Sequence, residues 1–260
     1  MKQDSLQTKI ADGIATIRLN RPDVHNAFDD VLIADLTAEL CRLEPLPQVR
    51  VIVLAANGNS FSAGADLNWM RRMAKYSQAE NLRDARALAG LMRTLDGMHQ
   101  PTIAHVHGAA FGGGVGLVAC CDIAVAGSAA TFAFTEVRLG LIPAVISPYV
   151  IAAIGERAAR RYFLTAERFD AIEARRMGLV HEVVEGAALE ATVARLAGHL
   201  LKGGPQALAA TKRLIADVSR RPMDDVLADE TARRIAAIRV QQEGQEGLAA
   251  FFDKRNPGWL

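Results

Sequence analysis

A glycine-rich stretch near the middle of the chain constrains the fold more than any other feature. Residues 108–116 read Gly-Ala-Ala-Phe-Gly-Gly-Gly-Val-Gly, between a β-like run over 101–107 and a helix-compatible run over 117–121. Glycine allows backbone to approach a ligand closely, and the free N–H groups at a helix N-terminus attract negative charge. The stretch therefore predicts a strand, a loop and a helix whose backbone N–H groups bind an anionic oxygen.

Two commoner glycine loops are excluded by the residues that accompany these glycines. A phosphate-binding P-loop requires Lys and then Ser or Thr, but Gly114 and Val115 stand at those positions. A dinucleotide-binding fingerprint requires a third glycine where the chain has Leu117. One structural alternative stays open, in which the glycines only allow a strand and a helix to pack closely.

Strands and helices alternate over the first two thirds of the chain, which predicts an α/β fold. Beyond Gly155 the pattern becomes mostly helical, so we expect a helical layer there rather than more sheet. This divides the chain into a core over 1–190 and a helical C-terminal region over 191–260. The expected strands span 14–20, 49–55, 101–107 and 122–126, and the expected helices follow Asp29 or Asp30, cover 68–73 behind a capping Asp66, and cover 79–98.

Composition restricts the function classes. The chain has 260 residues, of which 50% are apolar and 23% charged, and a formal net charge of +1. A globular, soluble protein is expected. The near-zero net charge does not favour binding to nucleic acid or to an anionic membrane, and no membrane span is expected. We therefore expect a cytoplasmic location. The cysteines Cys41, Cys120 and Cys121 lack metal or disulfide spacing and are expected to be core thiols.

Four motifs carry a family resemblance through their order and spacing. They are Phe61-Ser62-Ala63-Gly64-Ala65-Asp66-Leu67, the stretch 108–116 with Cys121-Asp122-Ile123-Ala124, Thr135-Glu136-Val137-Arg138-Leu139-Gly140-Leu141-Ile142-Pro143, and Phe251-Phe252-Asp253-Lys254-Arg255-Asn256-Pro257. Together they resemble the crotonase superfamily from Ile14 to Trp259, and within it the bacterial 3-methylglutaconyl-CoA hydratases. The resemblance implies a spiral of ββα units and a helical C-terminal region that forms homotrimers, which commonly pair into hexamers.

The resemblance also implies an acyl-CoA substrate and the residues that bind it. The backbone N–H groups of Ala65 and Gly113 would hold the thioester oxygen, and a side chain at Gly113 is expected to displace that oxygen. Glu136 would exchange the proton at the α carbon, and its apolar neighbours predict a raised pKa. No metal or redox cofactor is implied, because CoA is part of the substrate. Further substrate or CoA contacts are expected from His25, Ala27, Ala63, Gly64, Asp66, Leu67, Gly112 and Lys254.

The chain departs from the family pattern at Gly116, where hydratases of the family carry the first of two glutamates. Glycine offers no acid or base, and the space left is expected to hold water or part of the substrate. Three functions therefore stay open. They are a hydratase of a branched, carboxylate-bearing enoyl-CoA, an enoyl-CoA isomerase that needs one glutamate, and an RNA-binding protein, which the near-zero net charge disfavours.

Two further pairs of residues have plain structural interpretations. Arg71 and Arg72 follow the motif of 61–67 and are expected to be helix-surface arginines rather than ligands of a carboxylate or a CoA phosphate. His105 and His107 lie on the strand that enters the glycine stretch. They are expected to be packed or hydrogen-bonded imidazoles, because metal binding would need further ligands.

Overall fold

A computed structural model describes residues 4–260 of the chain, and within that range it contains ten strands and ten α-helices. The strands are β1 Leu6–Ala11, β2 Ile14–Leu19, β3 Val51–Ala56, β4 Ser60–Ser62, β5 Thr102–Val106, β6 Ala109–Phe111, β7 Ile123–Gly127, β8 Thr131–Ala133, β9 Phe169–Asp170 and β10 Glu182–Val184. The helices are α1 Asp30–Leu43, α2 Leu67–Met73, α3 Gln78–Asp96, α4 Gly113–Cys120, α5 Ser147–Thr165, α6 Ala171–Met177, α7 Leu189–Leu201, α8 Pro205–Val218, α9 Asp225–Val240 and α10 Gln242–Phe252.

The strands form two sheets, and the predicted α/β class is confirmed. The larger sheet has the order β1-β2-β3-β5-β7-β10 and is parallel except for the pair β1 and β2. The smaller sheet has the order β4-β6-β8-β9 and is parallel except for β8 and β9. Strands β4, β6 and β8 of the smaller sheet come shortly after β3, β5 and β7 of the larger one, so the chain passes repeatedly from one sheet to the other.

The central strand β3 is buried on both faces, as its continuous apolar sequence predicts. Because side chains alternate along a strand, Ile52 and Leu54 pack in one hydrophobic cluster while Val51 and Val53 pack in another. The first cluster includes the apolar face of α1, whose four leucines are fully buried. Each such side chain contributes about 1.5–3 kcal/mol when removed from water, so these layers hold the sheet in place.

The glycine stretch forms more regular structure than its sequence predicts. It contains the short strand β6, and α4 begins at Gly113 although each glycine inside a helix costs about 1 kcal/mol. Close packing explains two of these glycines, since a Cβ at Gly114 would lie 2.7 Å from the Ser62 carbonyl oxygen and one at Gly116 would overlap Ile146. The packing interpretation therefore holds for Gly114 and Gly116.

The chain beyond Gly155 is mostly helical, as predicted, but the expectation that it adds no more sheet is wrong. Strands β9 and β10 lie beyond Gly155 and extend the smaller and the larger sheet, respectively. They are only two and three residues long, too short to produce a recognisable alternation. The division at residue 190 stays a prediction; Leu189 and Val193 of α7 pack on the larger sheet, so packing continues across that position.

The cysteine prediction is correct for two residues and wrong for the third. Cys120 and Cys121 are buried, and burial raises the pKa of Cys121 to about 12. Cys41 is exposed, because it follows the buried Leu40 on α1 and points to the solvent side of that helix. Among residues 4–260, no helix combines the length and hydropathy needed to cross a bilayer.

The histidine prediction and the surface position predicted for the two arginines agree with the structure, while the expectation that these arginines bind no substrate group stays a prediction. His107 Nε2 lies 2.8 Å from the Gly58 carbonyl oxygen, and the buried His105 has Nε2 3.3 Å from the carboxylate of Glu190. Both arginines lie on the surface of α2. The Arg71 guanidinium donates to the Asn68 side chain, and that of Arg72 pairs with Asp30.

Candidate active site

The candidate site lies at the carboxyl ends of three neighbouring parallel strands, β4, β6 and β8. Ala65 follows β4, Gly113 follows β6, and Glu136 follows β8, each after a short loop. Carboxyl ends of parallel strands meet at one edge of a sheet, which is where open α/β sheets bind ligands. The fold therefore brings together the three residues that the sequence predicts as catalytic.

The backbone N–H of Ala65 points away from Phe28, the residue that pairs with it. Phe28 forms a parallel bridge with Ala65, in which Phe28 N donates to Gly64 O at 2.6 Å and Asp66 N donates to Phe28 O at 2.7 Å. The alternation of a strand then directs the Ala65 N–H to the opposite side. It has no hydrogen-bond acceptor within residues 4–260, so it is available to a ligand.

The second backbone donor lies at the N-terminus of α4. Gly113 is the first residue of that helix, and the preceding Gly112 has no side chain with which to cap it. Over the described chain the Gly113 N–H also lacks an acceptor. An open helix N-terminus carries partial positive charge, which suits an oxygen that becomes negative during a reaction.

Two glycines let the loops of the site approach one another. Gly64 and Gly112 have φ angles of +91° and +49°, which favour glycine. A Cβ at Gly64 would lie 3.3 Å from the Phe111 carbonyl oxygen, and one at Gly112 would lie 3.0 Å from Glu136 Oε1 and 4.0 Å from Gly64 Cα. The two donor loops and the glutamate are therefore in direct contact.

Glu136 is the carboxylate of this site. It begins a 3-10 turn, and its Oε2 is buried without a hydrogen-bond partner in residues 4–260. Burial raises the pKa of Glu136, as predicted. The predicted apolar surroundings are only partly present, since Phe132 and Phe134 are buried whereas Leu139 is exposed. A partly desolvated carboxyl with a free oxygen can accept or donate a proton.

The space beside Gly116 is filled by protein, which corrects the expectation that water or substrate occupies it. A Cβ there would overlap Cγ2 of Ile146 and would lie 3.1 Å from Cε of Met92. Both side chains are buried. A glutamate at residue 116 therefore has no room in this packing, and the site contains Glu136 without a partner carboxylate from that position.

Asp66 makes two kinds of contact that position its segment, and the sequence predicts only one of them. As predicted, its carboxylate caps α2, accepting from Asn68 N at 2.8 Å and Trp69 N at 3.1 Å. It also pairs with Arg21 at 3.2 Å. With its carboxylate engaged in this way, the predicted contact between Asp66 and acyl-CoA stays a prediction.

Arg21 is a residue that the sequence interpretation misses. Its guanidinium pairs with Asp29 at 2.8 Å as well as with Asp66, and it donates to the Ala27 carbonyl at 2.7 Å. These contacts tie the loop before α1 to the segment that presents Ala65. Nothing in the local sequence indicates this, because the partners come together only in the folded chain.

The remaining predicted binding residues fall into two groups. His25, Ala27 and Ala63 lie beside the Ala65 segment, where Ala63 N donates to His25 O at 2.9 Å, and Leu67 is 69% exposed at the start of α2. The predicted contact of Lys254 with CoA stays a prediction. The C-terminal segment is held near the amino end of β3, where Arg50 donates to Trp259 O.

Comparison with known proteins identifies the family to which this chain belongs. Residues 9–260 match the family model described as enoyl-CoA hydratase/isomerase. The chain belongs to the enoyl-CoA hydratase/isomerase family. The match covers both the sheets and the C-terminal helices. That the unpaired backbone donors and the buried glutamate form the catalytic site stays a prediction.

Individual relatives agree with this assignment over almost their whole length. A solved enoyl-CoA hydratase from Shewanella pealeana superposes with a TM-score of 0.96 at 48% identity, covering 98% of this chain and 96% of that one. The 2,3-dehydroadipyl-CoA hydratase of Escherichia coli is 31% identical, with 94% of each chain covered. The crotonyl-CoA hydratase of Syntrophomonas wolfei is 30% identical over 95% of this chain and 94% of its own. The predicted crotonase-type fold is confirmed.

Proposed function

We propose that this enzyme adds water to a branched enoyl-CoA that carries a second carboxylate, of the 3-methylglutaconyl-CoA type. The observation that carries the proposal is the convergence of two unpaired backbone N–H groups, those of Ala65 and Gly113, on a site with one buried carboxyl, Glu136. Such donors stabilise the negative charge that develops on a thioester oxygen, and one donor is worth about 2.7–4 kcal/mol.

Glu136 supplies the proton in this scheme. Addition of water forms a bond from the water oxygen to the β carbon and produces an enolate, which takes a proton at the α carbon. The Glu136 carboxyl gives that proton and recovers one from the attacking water. Its raised pKa favours this exchange, because an acid works best when its pKa lies near the working pH. No metal or redox cofactor is needed for this addition.

The substrate's own carboxylate is proposed to position the water. Gly116 offers no carboxylate, and Ile146 and Met92 fill the space beside it. In 3-methylglutaconyl-CoA the distal carboxylate is one methylene away from the β carbon, within reach of a water that attacks that carbon. Among the relatives, the dehydroadipyl-CoA hydratase is named for a substrate with a second carboxylate, which supports this substrate class, whereas the crotonyl-CoA hydratase is named for one without.

The test is a substrate panel with identification of products by mass. The purified enzyme is incubated with 3-methylglutaconyl-CoA, crotonyl-CoA and a 3-enoyl-CoA, and kcat/KM is measured for each. We expect hydration of the first at the highest kcat/KM. Preferred hydration of crotonyl-CoA would overturn the substrate class.

A second candidate, an enoyl-CoA isomerase, is favoured by one observation. Two apolar side chains, Ile146 and Met92, lie where a second carboxylate would otherwise help to hold water. Proton transfer between the α and γ carbons needs only one carboxylate. The 3-enoyl-CoA of the panel distinguishes the two, because an isomerase converts it to the 2-enoyl-CoA, which has the same mass as the substrate and is detected by the absorbance of its conjugated thioester.

We also propose that the chain forms a homotrimer or a hexamer, with Lys254 contacting the CoA nucleotide bound by a neighbouring subunit. Exposed apolar side chains on the C-terminal helices support an assembly, since such surface marks protein contacts. Light scattering on the eluted protein tests it, and a monomeric mass at micromolar concentration would contradict it. These side chains are Val226, Ile235, Val240, Phe251 and Phe252.

A further inference from the structure

Two glycines lie at the first turn of helix α4, Gly112 at the N-cap and Gly116 within the helix, and each lies against a different kind of side chain. The Gly112 carbonyl accepts from Gly116 N at 3.2 Å, so one hydrogen bond joins the two positions. The Glu136 carboxylate lies against Gly112, and the Ile146 side chain lies against Gly116. The sec-butyl side chain of Ile146 and the Glu136 carboxyl thus pack at opposite ends of the first turn of α4.

The contact at Gly116 leaves no free volume. Ile146 is 3% exposed and stands at the N-cap position of α5, where its carbonyl accepts from Val150 N at 3.1 Å. A Cβ at residue 116 would overlap Ile146 Cγ2 and would lie 3.0 Å from Ile146 Cβ, with Met92 Cε on another side at 3.1 Å. Interiors packed this closely reject even one added carbon.

We infer that Ile146 is a specificity-determining residue, whose side chain occupies the place of a second enzyme carboxylate and makes hydration depend on a carboxylate in the substrate. The inference rests on the proposed hydratase function. It follows that removal of Ile146 and introduction of a glutamate at residue 116 should together relax this dependence. Neither change alone should do so, because Gly116→Glu lacks space and Ile146→Gly supplies no carboxylate.

The distances indicate which replacement of Ile146 should work. Ile146→Ala removes the overlapping Cγ2 but keeps a Cβ that would lie 3.0 Å from the new Cβ at residue 116. Real Cβ atoms rarely have neighbours so close, so this variant is still crowded. Ile146→Gly removes both atoms. The two double variants thus form a matched pair that differs by a single carbon.

The activity experiment compares kcat/KM on crotonyl-CoA and 3-methylglutaconyl-CoA for the wild type, Gly116→Glu, Ile146→Gly and the two double variants. We expect Gly116→Glu/Ile146→Gly to hydrate crotonyl-CoA about tenfold to a hundredfold faster than the wild type, at or below the lower end of the roughly 10²–10⁴-fold that a well-positioned acid or base supplies. Gly116→Glu/Ile146→Ala should gain less. A folded Gly116→Glu/Ile146→Gly enzyme with no gain on crotonyl-CoA would overturn the inference.

A second measurement covers the case in which the glutamate variants do not fold. Gly116→Ala should lower Tm by roughly 2–10 °C in the wild-type background, as overpacking by one carbon does, and by much less in an Ile146→Gly background. Equal losses in both backgrounds would overturn the packing on which the inference rests. This measurement needs no substrate. Failure of the wild type to hydrate 3-methylglutaconyl-CoA would instead count against the proposed function.

Discussion

Glu136 and Gly112 are in contact across the candidate site, because a Cβ at residue 112 would lie 3.0 Å from Glu136 Oε1. Gly112 immediately precedes the donor Gly113 and has a φ of +49°. The Glu136 carboxyl thus approaches the start of the helix that offers a backbone donor.

This contact leads to a prediction for Gly112→Ala. The new Cβ should displace the Glu136 carboxyl by a few tenths of an ångström, and we expect kcat to fall about tenfold or more, since misplacement near 1 Å can cost a hundredfold. The backbone strain costs about 1–3 kcal/mol as well. Gly155→Ala is the control, because its φ is +75° and no described atom lies within 4 Å of its Cβ position. Equal loss of kcat in both variants would show that strain alone is responsible.

Gly113→Ala tests the coupling of the two donors. The sequence predicts that a side chain here would displace the thioester oxygen, and in the structure the Cβ would also lie 3.3 Å from the Phe28 ring. Phe28 bridges Ala65, so we expect both donors to shift and kcat to fall about tenfold to a thousandfold. Gly198→Ala, which meets no described atom within 4 Å, should leave kcat unchanged. Normal turnover by a folded Gly113→Ala enzyme would contradict the assignment.

Glu136→Gln should remove turnover while leaving binding and folding intact. We expect kcat to fall at least about a hundredfold, because proton exchange is lost, while the Kd for a saturated acyl-CoA changes little. Glu156→Gln, on the exposed surface of α5, is the control for an unrelated carboxylate. Substantial turnover by Glu136→Gln would assign the proton transfer to another group.

The raised pKa of Glu136 also predicts how stability depends on pH. Its pKa is raised in the folded chain because burial disfavours the charged form, so the folded state binds the proton more tightly than the unfolded state does. Stability from this group is present below the unfolded pKa of 4.5 and is lost as pH rises through the folded value. Glu136→Gln should therefore raise Tm at pH 7 and have little effect near pH 4. A lower Tm at pH 7 would contradict this sign.

Arg21→Gln tests how the Ala65 segment is held. The change removes both ion pairs of Arg21, with Asp29 and with the buried Asp66, and breaking a buried pair costs about 3 kcal/mol. We expect the free energy of unfolding to fall by about that amount. We also expect kcat/KM to fall about tenfold, because the Ala65 N–H is held less firmly. Arg160→Gln, which breaks an exposed pair with Glu156, should cost under about 0.5 kcal/mol. The inference fails if the two variants lose equal stability.

Local sequence patterns are enough to predict part of the candidate site. Ala65, Gly113 and Glu136 each follow a strand of the smaller sheet, and their motifs predict their positions. Helix caps such as Asp29 and Asp66 are predicted for the same reason, since a cap depends on neighbouring residues.

Contacts between distant segments account for what the sequence does not show. Arg21 reaches Asp66 across 45 positions, and no periodicity connects them. Likewise, Gly116 reveals that a carboxylate is missing, but only the packing of α5 on α4 shows that Ile146 fills the space. Strands β9 and β10 form because they pair with β8 and β7, respectively. Their own sequences are too short to predict a strand.

The most direct test of the central claim is the fate of solvent oxygen with 3-methylglutaconyl-CoA as substrate. The wild-type enzyme is incubated in water labelled with heavy oxygen, and the product is analysed by mass, with Glu136→Gln as the control. We expect a product that has gained one labelled oxygen at its β carbon in the wild type, and almost none in the variant. A product isomerised without solvent oxygen, or labelling that persists in Glu136→Gln, would contradict hydration through this single glutamate.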